Sequence, residues 1–463
     1  MPRLRAFACA LGLALACARP PDAPAPETAL AWHDCGDGLE CATLRVPIDH
    51  SAGPGSATLE LALARLPAEK PARRIGVLFV NPGGPGISAI AYLRSGGRRL
   101  AGELRERFDL AAFDTRGTGA STPLDCHESF WRWLAQDPDP ASDSAWQDAL
   151  EASRAFAGDC ARKHGELLPY MSTADNARDL DWIRAALHEE KLSFLGFSYG
   201  TALGATYASL YPERVRGLVL DGSIDPRFEL EGFSIEQAAA VEAALRAYDA
   251  EAQRQGWHGS DALDELYARA PRKSTVLFAS AEGLATPPEG WRLFANALGR
   301  AQLDDWSGLQ SLSDHYFGER ADGTRQLSVE AQLATLCADL RRPASAEAYR
   351  AALPAARAAS PHFGPGNLLS HLPCAFWPAP RSGPLAEPRG VDATPPILVL
   401  ANRDDPLTPH LWGERLAADF PSATRVDVES REHTAYARGV DCVDSLVAQY
   451  LVEPARPART HCP

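Results

Sequence analysis

The sequence predicts an α/β fold built on a mostly parallel sheet of about eight strands, with a mainly helical insertion late in the chain. Three observations carry the prediction. Short β-branched and apolar runs bounded by turn residues recur from CATLRVPI onward. From IGVLFV onward helical patterns separate these runs, as parallel strands require, because each connection must cross the sheet. Between VRGLVLD and PILVLA the strand series stops, and segments such as SIEQAAAVEAALRAYDAEAQR and SVEAQLATLCADL carry apolar residues at helical spacing.

In chain order the expected strands are CATLRVPI, ATLELALARL, IGVLFV, FDLAAFD, LSFLGF, VRGLVLD, PILVLA and TRVDVE. The first two have no helical segment between them and read as an antiparallel edge. Helices are expected around residues 173–188, 199–211, 410–420 and 436–451. The core then comes in two pieces, 32–222 and 391–463, and residues 223–390 form a helical cap. Because the sheet resumes after the insertion, a lid is favoured over an independent domain.

The opening residues, MPRLRAFACALGLALAC, place two arginines before a short apolar run, the layout of a secretory signal peptide over residues 1–17. The run is too short to span a bilayer. Its end resembles a lipoprotein-processing site, so a lipid on Cys17 is the one membrane attachment the sequence suggests. Residues 18–31 are rich in Pro and Ala and read as an extended tether. An exported location, periplasmic or extracellular, is oxidising, and thiols pair there. Without Cys9 and Cys17, eight cysteines remain: Cys35, Cys41, Cys126, Cys160, Cys337, Cys374, Cys442 and Cys462. Eight suits four bridges, but spacing alone does not choose the connectivity.

A formal net charge of −14 disfavours a nucleic-acid partner, which would need clustered Lys and Arg. No CxxC or Cys/His cluster marks a metal site, and neither a phosphate-binding loop nor GxGxxG after a strand is present. No metal and no organic cofactor is therefore expected.

The strongest chemical signal is LSFLGFSYGTALGATYA, where a strand runs into Gly196-Phe197-Ser198-Tyr199-Gly200 and then a helix. This is the layout of a nucleophile elbow, whose flanking glycines permit a turn too tight for side chains. FVNPGGPG, after the IGVLFV strand, is read as an oxyanion loop, because consecutive glycines let backbone N–H groups approach a substrate oxygen. The donors expected are the N–H groups of Tyr199 and Gly84, with Gly83 next. In PILVLANRDDPLTP two carboxylates, Asp404 and Asp405, compete for the role of acid. The base should follow the last strand; His410 falls at a helix start and His461 beside a terminal cysteine, which leaves His433. The order Ser, Asp, His is that of the α/β-hydrolases. FDTRGTGAST, with Asp114 and Arg116, is read as a buried ion pair with a turn, and VLDGSIDP, with Asp221 and Asp225, as a structural turn.

With these pieces in place, the chain resembles the bacterial secreted tripeptidyl aminopeptidase-like branch of the α/β-hydrolases, related to proline iminopeptidases. The matching elements are W-x-x-C with CATLRVPIDH, NPGGPG, DTRGTGAS, LGFSYGTALGATYASLYPERVRGLVLDG, the cysteines of LCADL and HLPCAFWP, DPLTP, and EHT followed by Cys442. The resemblance implies Ser198, Asp405 and His433 as triad, since Asp405 holds the D-P-x-T-P position. It also implies the pairs Cys35–Cys41, Cys126–Cys160, Cys337–Cys374 and Cys442–Cys462. The activity it implies is removal of short peptides or single residues from free amino termini, with an esterase, lipase or amidase on the same scaffold as the alternative. The substrate is then a short peptide or a small ester or amide. One departure stands out: members often carry Gly before the base, whereas Glu432 precedes His433 here. A carboxylate beside the base would raise its pKa.

Overall fold

The computed structural model describes residues 30–463 except 98, 99, 101, 127, 226, 228, 320–324 and 379–394. The expected leader with Cys17, the tether up to residue 29 and the end of the insertion lie outside the described residues. The strands are β1 (His33–Asp34), β2 (Glu40–Pro47), β3 (Thr58–Leu66), β4 (Gly76–Asn81), β5 (Phe108–Phe113), β6 (Leu192–Phe197), β7 (Val215–Asp221), β8 (Ile397–Asn402), β9 (Ala423–Val428) and β10 (His461–Cys462). They form one sheet in the order β1-β2-β3-β5-β4-β6-β7-β8-β9-β10. The pairs from β1 to β5 are antiparallel, and those from β5 through β4 to β10 are parallel.

The sheet thus has ten strands where eight were expected. The two extra strands are two-residue pairings at the edges, too short to show any alternation in sequence. Each is tied in by a disulfide: Cys35 beside β1 bonds Cys41 in β2, and Cys462 in β10 bonds Cys442. The other two bridges are Cys126–Cys160 and Cys337–Cys374.

Central strands read as unbroken apolar runs because both of their faces are covered. In β4, Val77 and Phe79 face one core while Leu78 and Val80 face the other; in β8, Ile397 and Val399 alternate with Leu398 and Leu400 in the same way. On the first face Phe156, Leu180 and Leu203 come from the helices Asp143–His164, Thr173–Ala186 and Tyr199–Leu210. On the second, Leu93, Leu104 and Val447 come from Ala89–Gly96, Gly102–Arg107 and Asp441–Val452.

Between β7 and β8 the described elements are all helices, from Leu230–Gln255 to the short turn Leu372–Phe376. They divide in two. Leu245, Tyr248, Phe294 and Leu298 build a separate apolar core among the earlier inserted helices. Leu333, Leu336 and Tyr349, on the helices Val329–Asp339 and Ala346–Ala359, instead join the core on the first face of the sheet. Cys337 and Cys374 belong to that second part.

The buried ion pair read in FDTRGTGAST forms between Arg116 and Asp179, at 2.7 and 2.8 Å, and not with Asp114. Arg116 also donates to the carbonyls of Pro47, Ile48 and Tyr170. Asp114 serves the turn, accepting from Ser88 Oγ and from the N–H groups of Ile90 and Ala120.

Candidate active site

Strand β6 ends at Phe197 and the next helix begins at Tyr199, so Ser198 alone makes the reversal. It does so at φ 52° and ψ −122°, a conformation that costs a residue with a Cβ about 1–3 kcal/mol. The neighbours explain why the chain accepts it. A Cβ on Gly196 would lie 2.4 Å from the Gly200 carbonyl oxygen, and one on Gly200 would lie 2.6 Å from that of Asn81. Strand and helix can approach this closely only with both glycines present. The Ser198 N–H is fixed by the Asp221 carbonyl at 2.8 Å.

The NPGGPG loop packs directly on this turn. A Cβ on Gly83 would stand 2.8 Å from Ser198 Cβ and 3.0 Å from Tyr199 N. Gly83 donates its N–H to Asn81 Oδ1 at 3.0 Å, which removes it from the free donors. Gly84 has no partner for its N–H among the described residues and lines the same cavity as Ser198. Tyr199 is the first residue of its helix, where the N–H has no intrahelical acceptor. The inserted segment closes on the loop: Ser328 N–H donates to the Gly86 carbonyl at 2.8 Å, and a Cβ on Gly86 would lie 2.3 Å from the Ser328 carbonyl oxygen.

The two competing carboxylates have different surroundings. Asp404 is exposed and pairs with Arg431 at 3.3 Å. Asp405 is buried, and its oxygens lie 3.0 and 3.1 Å from His433 Nδ1. It also accepts from the N–H groups of Leu407 and Thr408 and from Thr408 Oγ1, each at 2.8 Å. Burial opposes its ionisation, but the His433 charge and these donors outweigh it and hold its pKa below the usual value. His410 is bound to Asp427 at 2.8 Å, and His461 is exposed. Glu432 stands 3.6 Å from Arg438, and burial raises its pKa against that charge.

Asp221, read from sequence as part of a turn, joins two parts of the site. Its carbonyl holds Ser198, and its carboxylate accepts from Ala435 N–H at 2.9 and 3.0 Å and from Tyr436 N–H at 2.8 Å, just after His433. Burial drives its pKa up to about 7 against those two hydrogen bonds. Asp225 pairs with Arg227 and Arg415 at the entrance to the insertion.

Ser198, Gly84 and His433 line a cavity of about 290 Å³. The insertion supplies most of the remaining wall, with apolar residues such as Phe233, Leu277, Phe278 and Phe317. Its polar residues there are Gln237, Glu282, Tyr316, Gln332, Asn367, Ser370 and His371, none of which the sequence marked as a site residue, although His371 opens HLPCAFWP. Among the described residues lining the cavity Glu282 is the one carboxylate, and it lies 2.6 Å from His315 Nδ1. No group of His, Cys, Asp and Glu suited to a metal ion occurs among the described residues.

A mostly parallel sheet that presents a strained serine at a strand end, in one cavity with a carboxylate-bound histidine, is the framework of a serine hydrolase, and this protein is of that class. The family model described as alpha/beta hydrolase fold matches residues 76–439, and the chain belongs to that family. It is 31% identical to carboxylesterase B of Mycobacterium tuberculosis over 94% of this chain and 90% of that one. It is 29% identical to serine protease Hip1 of the same organism, over 91% and 86%. With the tripeptidyl aminopeptidase of Streptomyces lividans it shares 28% identity over 97% and 88%.

Proposed function

We propose that this protein is an exported serine exopeptidase that removes short peptides or single residues from free amino termini. Ser198 attacks the carbonyl as His433 takes its proton, and Asp405 orients the imidazole and stabilises its charged form. The N–H groups of Tyr199 and Gly84 hold the developing oxyanion. Leaving-group departure and attack by water complete the cycle through an acyl-enzyme, with His433 returning the proton. Residues 223–390 act as the cap over this chemistry.

The observation that carries the reading is the position of Glu282 as the one carboxylate among the described lining residues of an otherwise largely apolar chamber. A substrate ammonium entering such a chamber needs an anionic partner, because an unpaired charge there is costly. The four disulfides support an oxidising, exported location, and a lipid on Cys17 would add an anchor. A second reading, hydrolysis of esters with an apolar acyl group, draws on the same apolar wall.

Acetylating the amino terminus of a good tripeptide amide separates the two. The exopeptidase reading expects kcat/KM to fall by about 100-fold, because the blocked substrate no longer brings its ammonium to Glu282, whose other partner is the exposed His315. Equal turnover of blocked peptides or simple acyl esters would replace it with the esterase reading and leave the serine chemistry intact.

A further inference from the structure

His371 lies in the wall of the same cavity, only 6% exposed, and the chemistry just described does not use it. Its surroundings determine which ring nitrogen carries the proton. Nδ1 is 3.0 Å from the Asn367 carbonyl oxygen, which can only accept. The two hydroxyls near it have already committed their protons: Ser234 Oγ donates to the Leu230 carbonyl at 2.9 Å and Ser370 Oγ to the Asn367 carbonyl at 2.7 Å. These hydroxyls lie 3.1 and 3.3 Å from Nδ1 and offer it lone pairs. Three acceptors around one nitrogen require an N–H there. Burial also pushes the His371 pKa down to about 4, against the Asn367 hydrogen bond, so at neutral pH the ring holds one proton only. Nε2 is then an acceptor, and it has no partner among the described residues. An edge-on contact with Phe233, centroids 6.1 Å apart, holds the ring.

An acceptor open to a cavity is satisfied there by water or by a bound molecule, and a substrate that displaces the water must replace its hydrogen bond. Among the other polar side chains nearby, Gln237 Nε2 donates to the Leu407 carbonyl and Asn367 Nδ2 to the Ser234 carbonyl, at 2.8 and 2.7 Å. Neither of those donor groups is aimed at His371. The partner of Nε2 is then water or a group of a bound substrate.

We propose that His371 determines substrate specificity by accepting, at Nε2, a hydrogen bond from an N–H of the acyl portion of the bound substrate. This rests on the peptide reading of the site and deepens it: the chamber selects acyl groups that carry an N–H, whether amine or amide, over plain acyl chains. Glu282 answers the charge of the substrate, and His371 answers a directed donor. A site built around such an acceptor discriminates strongly against analogues lacking the donor, because the acceptor is then left buried and unpaired.

The test compares His371→Leu, which removes the acceptor, with His371→Gln, which offers an amide oxygen in its place. Each is assayed on a free-amine tripeptide p-nitroanilide and on p-nitrophenyl butyrate, which has no N–H. Loss of the acceptor should lower kcat/KM for the peptide by about 10-fold or more, while butyrate turnover stays within about twofold and the Gln variant recovers part of the peptide activity. Equal losses on both substrates, or no loss on the peptide, would overturn the proposal. If the Leu variant fails to fold, the Gln variant is assayed with peptides N-methylated at each position in turn. One methylation should then cost the wild type more than the variant, and uniform penalties would overturn the proposal. If the wild type cleaves no peptide, the exopeptidase reading fails by itself. Alanine p-nitrophenyl ester against p-nitrophenyl propionate then decides the matter: His371→Leu should erase a preference for the aminoacyl ester, and an unchanged preference would overturn the proposal.

Discussion

The hydroxyl of Tyr199 lies 2.6 Å from Oγ1 of Thr173, and Thr173 in turn donates from that oxygen to Asp339 at 2.6 Å. The proton of Thr173 is committed to Asp339, so Tyr199 is the donor in the first contact. Asp339 sits on the inserted helix Val329–Asp339, Thr173 opens the helix Thr173–Ala186, and Tyr199 follows the serine. A buried chain of hydrogen bonds therefore ties the insertion to the residue whose N–H is the proposed oxyanion donor. Thr173→Val removes both contacts in one substitution. We expect kcat to fall by about 10-fold with KM little changed, and stability to fall by about 1–3 kcal/mol for the unpaired polar groups. Steady-state kinetics with a thermal melt check this; a fall in stability alone would assign Thr173 to folding.

Substitutions at the proposed triad should separate the adjacent carboxylates. Ser198→Ala and His433→Ala are expected to lower kcat by about 10⁴-fold or more, and Asp405→Asn by several orders of magnitude, with folding intact. Asp404→Asn breaks only the exposed pair with Arg431 and should be mild. A fluorophosphonate probe followed by mass spectrometry should label Ser198 in the wild type and fail in Ser198→Ala.

Asp221 gives stability a pH dependence of defined sign. Its folded pKa is raised to about 7, whereas an unfolded aspartate titrates near 4. Between these values the folded state binds the extra proton, so this group's contribution is complete below about pH 4 and is lost as pH rises through about 7. Asp221→Asn removes that linkage. Thermal melts across this range should show the wild type losing ground to the variant as pH rises, then a constant offset. Asp405 acts in the opposite direction, its contribution being lost as pH falls through its depressed pKa. Parallel melting curves for wild type and Asp221→Asn would disprove the assignment.

Arg116→Met should destabilise the fold by about 3–5 kcal/mol, because it leaves buried Asp179 with His50, at 2.7 Å, in place of its guanidinium partner. Burial favours the neutral form of Asp179, and the Arg116 charge and hydrogen bonds bring its pKa below the usual value. Adding Asp179→Leu should restore part of the loss, as denaturant unfolding of the single and double variants would show. Additive losses would mean that the pair is not the source of the effect.

What the sequence by itself determined is local. The glycines at 196 and 200 could be read as an elbow because the strand-to-helix turn is made within five residues and the steric demand falls on those positions. The central strands were legible because coverage on both faces leaves unbroken apolar runs, whereas the edge strands at 33–34 and 461–462 are too short to carry a pattern and are tied in by disulfides. Only the tertiary structure decided the rest. It paired Arg116 with Asp179 instead of Asp114, took Gly83 out of the free donors through Asn81, and supplied the burial of Asp405, the carboxylate to which the D-P-x-T-P resemblance already pointed. It also brought Glu282 and His371 from the insertion to the wall beside Ser198, and gave Asp221 a carboxylate contact with residues far along the chain. Hydrogen-bond partners, desolvation and the walls of a cavity depend on which residues meet in space, and segments this far apart in sequence meet only through the packing of helices on the sheet.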